Sequence, residues 1–481
     1  MIINNSFMKK IFVFVFLLVS AIGSAQSNRA TGLSFDDDKY LNTKRLSTSL
    51  KFTSAELPLT FSLKNYCPKP GNQGQIGSCV GWATGYAALT IAKAIQDNNT
   101  STESITRNAR SARFIYDQIV DQCPNGSVIN DAFNLVQTQG DCLFTEFEPS
   151  TCKQIPGSNI KALASSFKIK DFYKLFESSA SADQKINETK NSLNAKKPVV
   201  IGMMVSESFN KVGPSGEWNP PSNDYNIGGH ALCVIGYDDA KQRFEIINSW
   251  GTDWGNKGFF TISYADYGKL CKYGFQFTLN SPVVGPVSSL SGNFQFKKYS
   301  GYNSSTQKPE FTEVTPKLNG TTYTLSSTVR VNDFFRISAS NIPKDKYVYI
   351  ISLKPDGSTD MLFPTSSIVY GVSVKDIPVV PYSNVVLEIP ADEKKGLTTD
   401  QAGDDVLCIL FSSKSIDDID NVLKNIKRAT GSFESRLKSA LGDKLIPYSD
   451  ITYSNNVMGV SSRTTSTGTI APIILKVSVI N

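Results

Sequence analysis

The chain has 481 residues, 40% hydrophobic and 19% charged, with 33 Gly and 22 Pro scattered along it; at roughly 100 to 200 residues per domain it reads as a globular protein of two or three domains, neither disordered nor collagen-like. Its net charge of +6, from 49 Lys and Arg against 43 Asp and Glu, is modest, and no basic stripe is interleaved with aromatic residues, so no nucleic-acid partner is expected. A single histidine, His230, excludes every His-cluster metal site and every imidazole mechanism built on another residue.

In chain order, residues 1–25 read as a secretory signal. Lys9 and Lys10 form the basic start, residues 11–22 are nearly all apolar, and Gly23-Ser24-Ala25 offers small residues for cleavage. The apolar run of about a dozen residues is shorter than the roughly 20 needed to span a bilayer, and no later run approaches that length. The expectation is an exported chain, secreted, periplasmic or at the cell surface, without a transmembrane segment once the signal is removed. Residues 26–56 form a polar N-terminal arm or short prosegment that looks loose. Residues 57–280 mix helix and strand in an α+β pattern: an Ala-rich helix from Cys79, helices over 111–123, 130–139 and 183–195, then strands over 199–205, 231–237, 244–248 and 258–263. Residues 281–292, rich in Pro, Gly and Ser, mark a linker. Residues 293–481 form a β-rich C-terminal domain, with strands predicted over 335–338, 347–353, 385–389, 406–411 and 473–480. One helix interrupts them, announced by a capping box from Ser415 to Asp418 and by Ile416, Ile419, Leu423 and Ile426 at helical spacing.

Export meets oxidising surroundings, so the eight cysteines are candidates for disulfides. Cys142 and Cys152 make the best local pair by spacing, and Cys67 with Cys123 is a second pairing, although sequence alone does not fix connectivity. Cys408, in an apolar run, reads as a buried strand thiol.

Three segments carry chemistry. In Asn72-Gln-Gly-Gln-Ile-Gly-Ser-Cys79, a glycine-rich loop delivers Cys79 to the start of an apolar helix. The partial positive charge of a helix N-terminus favours a thiolate over a thiol. Gln73, six residues upstream, offers an amide N–H that with the Cys79 N–H would form an oxyanion hole. Taken alone, Cys79 is as easily half of a disulfide. Gly228-Gly-His-Ala231 places His230 ahead of an apolar strand, and Ile247-Asn-Ser-Trp-Gly251 places Asn248 at the end of the next. Antiparallel pairing of those strands would set the Asn248 side chain against the imidazole, fixing its tautomer, with Trp250 covering that hydrogen bond. A lone strand histidine is usually structural, and Asn-Ser-Trp-Gly alone reads as a turn; together the three segments are far harder to assign to accident.

Gln73 with Gly77-Ser78-Cys79, then Gly229-His230-Ala231, then Asn248-Ser249-Trp250-Gly251 resemble, in order, the three motifs of papain-like cysteine peptidases. The resemblance covers about residues 57–279. Cys123-Pro-Asn-Gly-Ser127 is similar to the family's Cys-Asn-Gly-Gly loop, which lines the substrate cleft. The family's fold is implied: a two-lobe domain with a helical left lobe and an antiparallel β right lobe. So are its roles: Cys79, His230, Asn248 and Gln73 catalytic, Gly126, Ser127 and Gly229 substrate-binding, Trp250 supporting, and no metal or organic cofactor. The sequence also departs from the pattern. Ile76 replaces the first cysteine of the family's Cys-Gly-Ser-Cys, Val80 follows Cys79, and Trp82 comes three residues after it. An insertion at residues 212–226 precedes His230 and would border the cleft. The arm lacks the long helical inhibitory prosegment of many members.

The resemblance implies a secreted cysteine peptidase, expected to be an endopeptidase. It would hydrolyse peptide bonds of protein or peptide substrates through a Cys79 thioester, with His230 as general acid and base. Two alternatives stay open: a catalytically silent adhesion or interaction protein with an occluded cleft, and a transpeptidase that passes the acyl group to an amine. Residues 347–353, the turn Lys354-Pro-Asp-Gly357 and Met361-Leu-Phe-Pro364 resemble a β-rich bacterial domain of unknown function found attached to catalytic domains, which implies a binding or anchoring role toward an unknown partner.

Overall fold

The computed structural model describes residues 29–45, 50–52, 57–280, 290–369, 372–380, 385–390, 395–463 and 466–481; the predicted signal and most of the predicted linker lie outside them. The arm contains regular structure. Helix α1 (Asp37–Leu41) is capped by the Asp36 carboxylate, which accepts from the Lys39 N–H. Its Tyr40 is buried, donates to the Phe176 carbonyl at 2.6 Å and stacks on Tyr273 at 4.1 Å. Strand β1 (Leu50–Phe52) follows, so the arm is not the loose segment its polarity suggested.

After β2 (Thr60–Ser62), the left lobe is built on one helical run, α2, made of Cys79–Gly81, a π-helical stretch Trp82–Leu89, and Thr90–Gln96. Its small residues let neighbours approach closely: a Cβ on Gly81 would lie 2.2 Å from the Ala112 carbonyl oxygen. That contact seats α3 (Ala112–Ile119), capped by Ser111, and α4 (Ile129–Thr138) packs beside it. The right lobe follows with β3 (Ile169–Lys174), α5 (Ala182–Asn194), β4 (Val199–Ser206), β5 (Glu217–Trp218), β6 (Asn226–Asp238), β7 (Arg243–Ile247), β8 (Phe259–Ser263) and β9 (Cys271–Leu279). The sheet order is β3-β9-β4-β6-β7-β8-β5, with β2 added to β6. β6 is central and antiparallel to both neighbours, with Met203 opposite His230 and Cys233 opposite Ile247. The predicted helices and strands of this domain are all present, displaced by a few residues at most except β6, which begins five residues earlier.

The C-terminal region is β-rich and layered. One sheet runs Leu50–Phe52, Val385–Ile389, Phe334–Ser340, Ser291–Asn303, Met458–Ser462, Ile451–Tyr453; the other runs Pro316–Asn319, Thr322–Leu325, Ile470–Ile480, Gly403–Ser412, Lys346–Leu353, Thr359–Phe363. Phe294 and Phe411 meet between them at 5.6 Å. The first strand of the first sheet is β1 of the arm, antiparallel to residues 385–387. Two expectations need correction. The helix begins at Ile419 with Asp418 as its N-cap, three residues after the predicted Ser415, because the Asp418 side chain takes the Asn421 N–H. A second helix, Phe433–Leu441, packs on it.

The disulfide pairing also differs. Cys123 is bonded to Cys152, and Cys67 and Cys142 are buried free thiols, so neither the Cys142–Cys152 nor the Cys67–Cys123 pairing holds. Nearness along the chain misled: the Cys142 carbonyl takes the Ser111 N–H, which fixes Cys142 inside the core, and Cys67 sits buried with its thiol toward the Leu63 carbonyl. Cys408 is a buried strand thiol.

Candidate active site

The loop before α2 is stitched to the loop after β7 by backbone bonds: Gly251 N–H to the Gly71 carbonyl at 2.8 Å and Gln73 N–H to the Ser249 carbonyl at 2.9 Å. Gly71 is required there, since a Cβ would sit 2.1 Å from Trp82 Cζ3. These bonds bring the helix N-terminus carrying Cys79 against β6. The Ala231 N–H points at Cys79 Sγ, 3.4 Å away, so the thiol lies beside the residue that follows His230.

His230 Nε2 is 2.8 Å from Asn248 Oδ1. The Ser249 N–H donates to the same oxygen at 2.8 Å, which orients the amide, so Nε2 is the protonated ring nitrogen. His230 Nδ1 is buried and has no hydrogen-bond partner among the described residues. Trp250 lies over the imidazole at 5.0 Å, and Phe209 closes the ring's other surroundings at 5.9 Å. Gln73 is oriented by the Ser249 hydroxyl, which donates to its Oε1 at 2.6 Å; its Nε2 donates to the Ile76 carbonyl at 2.9 Å. The four residues predicted as catalytic therefore meet in one place. Phe209 and the Ala231 amide join them; a backbone donor leaves no mark in sequence, and Phe209 carried no motif.

The site is covered by the arm. The Thr31 carbonyl accepts from Gln73 Nε2 at 3.3 Å, on the donor expected to hold an oxyanion. Trp250 Nε1 donates to the Ala30 carbonyl at 2.9 Å. Gly32, Leu33 and Ser34 then run between the lobes. Leu33 N–H donates to Gly229 O at 3.1 Å, Ser127 N–H to Gly32 O at 2.9 Å, and Ser34 N–H to Ser127 O at 3.0 Å. Leu33 is thus antiparallel to Gly229 and parallel to Ser127. Gly126 lies under the same strand, where a Cβ would be 2.5 Å from the Gly32 oxygen. The Leu33 side chain packs over Gly202, where a Cβ would be 2.9 Å from its Cδ2. All three residues predicted to bind substrate, Gly126, Ser127 and Gly229, thus contact the arm. Within the 212–226 insertion, Glu217–Trp218 pairs parallel to β8 at the sheet edge, and Asn226 opens β6 opposite Ser206.

Burial sets the electrostatics. It pushes the Cys79 thiol up to about 12, and the N–H groups of Ala231, Val80 and Cys79 only partly oppose that. It pushes the His230 imidazole down to about 4 against the opposing pull of Asn248. In the covered state both groups are neutral, unlike the charged pair a helix N-terminus alone would favour. Among the described residues, no cluster of His, Cys, Asp and Glu is arranged to hold a metal ion, and no helix is long and apolar enough to cross a membrane.

Residues 61–278 match the family model described as papain family cysteine protease. They form a papain-family cysteine protease domain. An uncharacterised peptidase C1-like protein of Acanthamoeba polyphaga mimivirus is 26% identical over 239 residues, covering 47% of this chain and 76% of its own length. The gamete and mating-type specific protein A of Dictyostelium discoideum is 28% identical over 209 residues, covering 43% and 42%. Among solved structures, xylellain, a cysteine protease from Xylella fastidiosa, aligns with a TM-score of 0.43 at 23% identity, covering 53% of this chain and 96% of that one. The matched span of the papain-family domain contains Gln73, Cys79, His230 and Asn248; residues 29–35, which cover them, precede it.

Proposed function

We propose that this chain is an exported cysteine peptidase, made latent by its own N-terminal arm. The observation that carries the reading is the His230 Nε2 contact to Asn248 Oδ1 at 2.8 Å, which leaves Nδ1 as the basic nitrogen, on the residue before the Ala231 amide that points at the Cys79 thiol. With the arm displaced, Nδ1 takes the Cys79 proton and the resulting charges stabilise each other. Sulfur attacks the substrate carbonyl, and Gln73 Nε2 and the Cys79 N–H receive the oxyanion. His230 then protonates the leaving amine and activates water to release the thioester. Removing one oxyanion donor typically costs about 2.7 to 4 kcal/mol, so Gln73→Ala should retain kcat at roughly a hundredth to a thousandth, whereas Cys79→Ala should retain none. Export rests on the signal-like residues 1–25.

The arm in the cleft also favours a second reading, a silent protein whose cleft never opens. Labelling with an epoxysuccinyl peptide probe separates the two: the chain from Gln26 and a chain lacking residues 26–35 are treated under mild reductant, and the adduct is mapped by mass. The peptidase reading expects an adduct at Cys79, faster in the shortened chain and lost in His230→Ala. A folded shortened chain that neither labels nor cuts casein would leave the silent reading standing. Release of amide rather than acid product in the presence of an added amine would identify a transpeptidase.

A further inference from the structure

Behind the site, between α2 and the strands carrying His230 and Asn248, lies a cavity of about 10 Å³. Its walls include Trp82, Tyr86, Ala87, Ala231, Asn248 and Ser249. That is close to the room one water molecule needs. Two of the wall residues carry a buried N–H donor with no acceptor among the described residues, Asn248 Nδ2 and Trp82 Nε1. Each residue is over nine-tenths buried, at 4% and 6% exposure. The six-membered edge of Trp82 is pressed on Gly71 and its rings pack on Tyr86 and Phe144, which leaves the indole N–H on the opposite edge. The helical wall is the π-helical stretch Trp82–Leu89, a widened geometry frequently found at functional sites.

Unpaired buried donors are rare, and a water with two lone pairs is the smallest group that satisfies both. We propose that one water molecule occupies this cavity, accepts from Asn248 Nδ2 and Trp82 Nε1, and makes Trp82 a positioning residue for His230. The Asn248 amide has two orientations. The one observed gives Oδ1 to the imidazole; its flip would present Nδ2 to the Nε2–H and break that bond. A fixed acceptor for Nδ2 holds the amide against flipping. Trp82 thereby bears on the tautomer of His230 without touching it. The kinetic consequence rests on the peptidase reading above, but the positioning itself does not.

The single histidine makes the test direct. In chain labelled with ¹⁵N-histidine, one imidazole gives one set of correlations, and wild type should show the Nε2-protonated tautomer with a slowly exchanging Nε2–H. Trp82→Phe, which keeps an aromatic ring but removes the donor, should raise that exchange rate roughly 3- to 10-fold, the range one net hydrogen bond is worth, and populate the second tautomer. The melting temperature should stay near wild type, and where turnover is measured kcat should fall by the same factor with KM unchanged. A folded Trp82→Phe chain with unchanged tautomer and exchange overturns the proposal. So does high-resolution density for the wild-type chain that lacks a water between Trp82 Nε1 and Asn248 Nδ2, a measurement that stands even if the variant fails to fold. A wild-type chain with the protected Nε2–H but no turnover after arm removal would remove the peptidase reading and leave this one.

Discussion

At the level of single residues, the covered site stores two groups away from their preferred charge states. His230 is held near 4 and Cys79 near 12. For His230 the unfolded chain binds a proton between about pH 6.5 and 4 that the folded, covered state does not, so stability rises with pH across that window and is lost as acid is added. For Cys79 the sign reverses: the folded, covered state keeps a proton that the unfolded chain loses above about pH 9, so stability falls there. We expect the melting temperature to be highest between those limits. His230→Gln should flatten the acid side; equal acid losses in the two chains would place the cause elsewhere. The residues that meet at the candidate site were legible because the chemistry expected of them demands fixed side-chain types near glycine-rich turns. The Cys123–Cys152 bond was not, because a contact across 29 residues leaves no trace in spacing.

At the level of elements, the arm passes the nucleophile loop through one glycine. Gly32 has a φ of +143°, and a Cβ there would lie 2.2 Å from the Gly77 oxygen and 2.4 Å from its Cα. Both sides are backbone, so nothing yields cheaply. Gly32→Ala should lift residues 30–34 from the cleft while α1 stays docked through Tyr40, and should speed probe labelling of Cys79 at least tenfold with the fold retained; an unchanged rate would mean that the arm does not limit access. The sequence marked this element poorly. α1 has five residues, too few for a helical period to show, and the apolar pair Leu33 and Phe35 is a short alternation in a polar stretch. The long elements were legible because each has one buried face with a clear repeat; Phe433–Leu441, with only three fully buried residues, did not stand out.

At the level of the whole molecule, the arm ties the two domains together. It leaves the cleft, docks α1 on the peptidase domain, meets β3 where Arg45 bridges Lys174, and ends as β1 on the C-terminal sheet beside Val385–Ile389. A second contact joins the domains directly, with Lys170 over the Tyr347 ring at 4.9 Å. Removing residues 290–481 takes away the partner strand of β1. The shortened protein should label faster at Cys79 than the full chain, though less fast than one lacking residues 26–35; labelling no faster than the full chain would show that α1 alone holds the arm. Composition marked the change from a mixed helix–strand region to a β-rich one, because a Pro- and Gly-rich stretch lies between the two patterns. It was silent on their coupling, since pairing between residues 50–52 and 385–387 depends on how the domains meet.

The cleft floor brings a conflict of redox demand. Gly126 and Ser127 stand on the loop that Cys123–Cys152 fastens, and both of those cysteines are partly exposed whereas Cys79 is buried. A thiol reagent added to keep the nucleophile reduced reaches the fastening first. Activity measured against dithiothreitol should therefore climb, pass through a maximum and decline as the floor loosens, and replacing both Cys123 and Cys152 with serine should abolish the decline at the cost of a lower maximum.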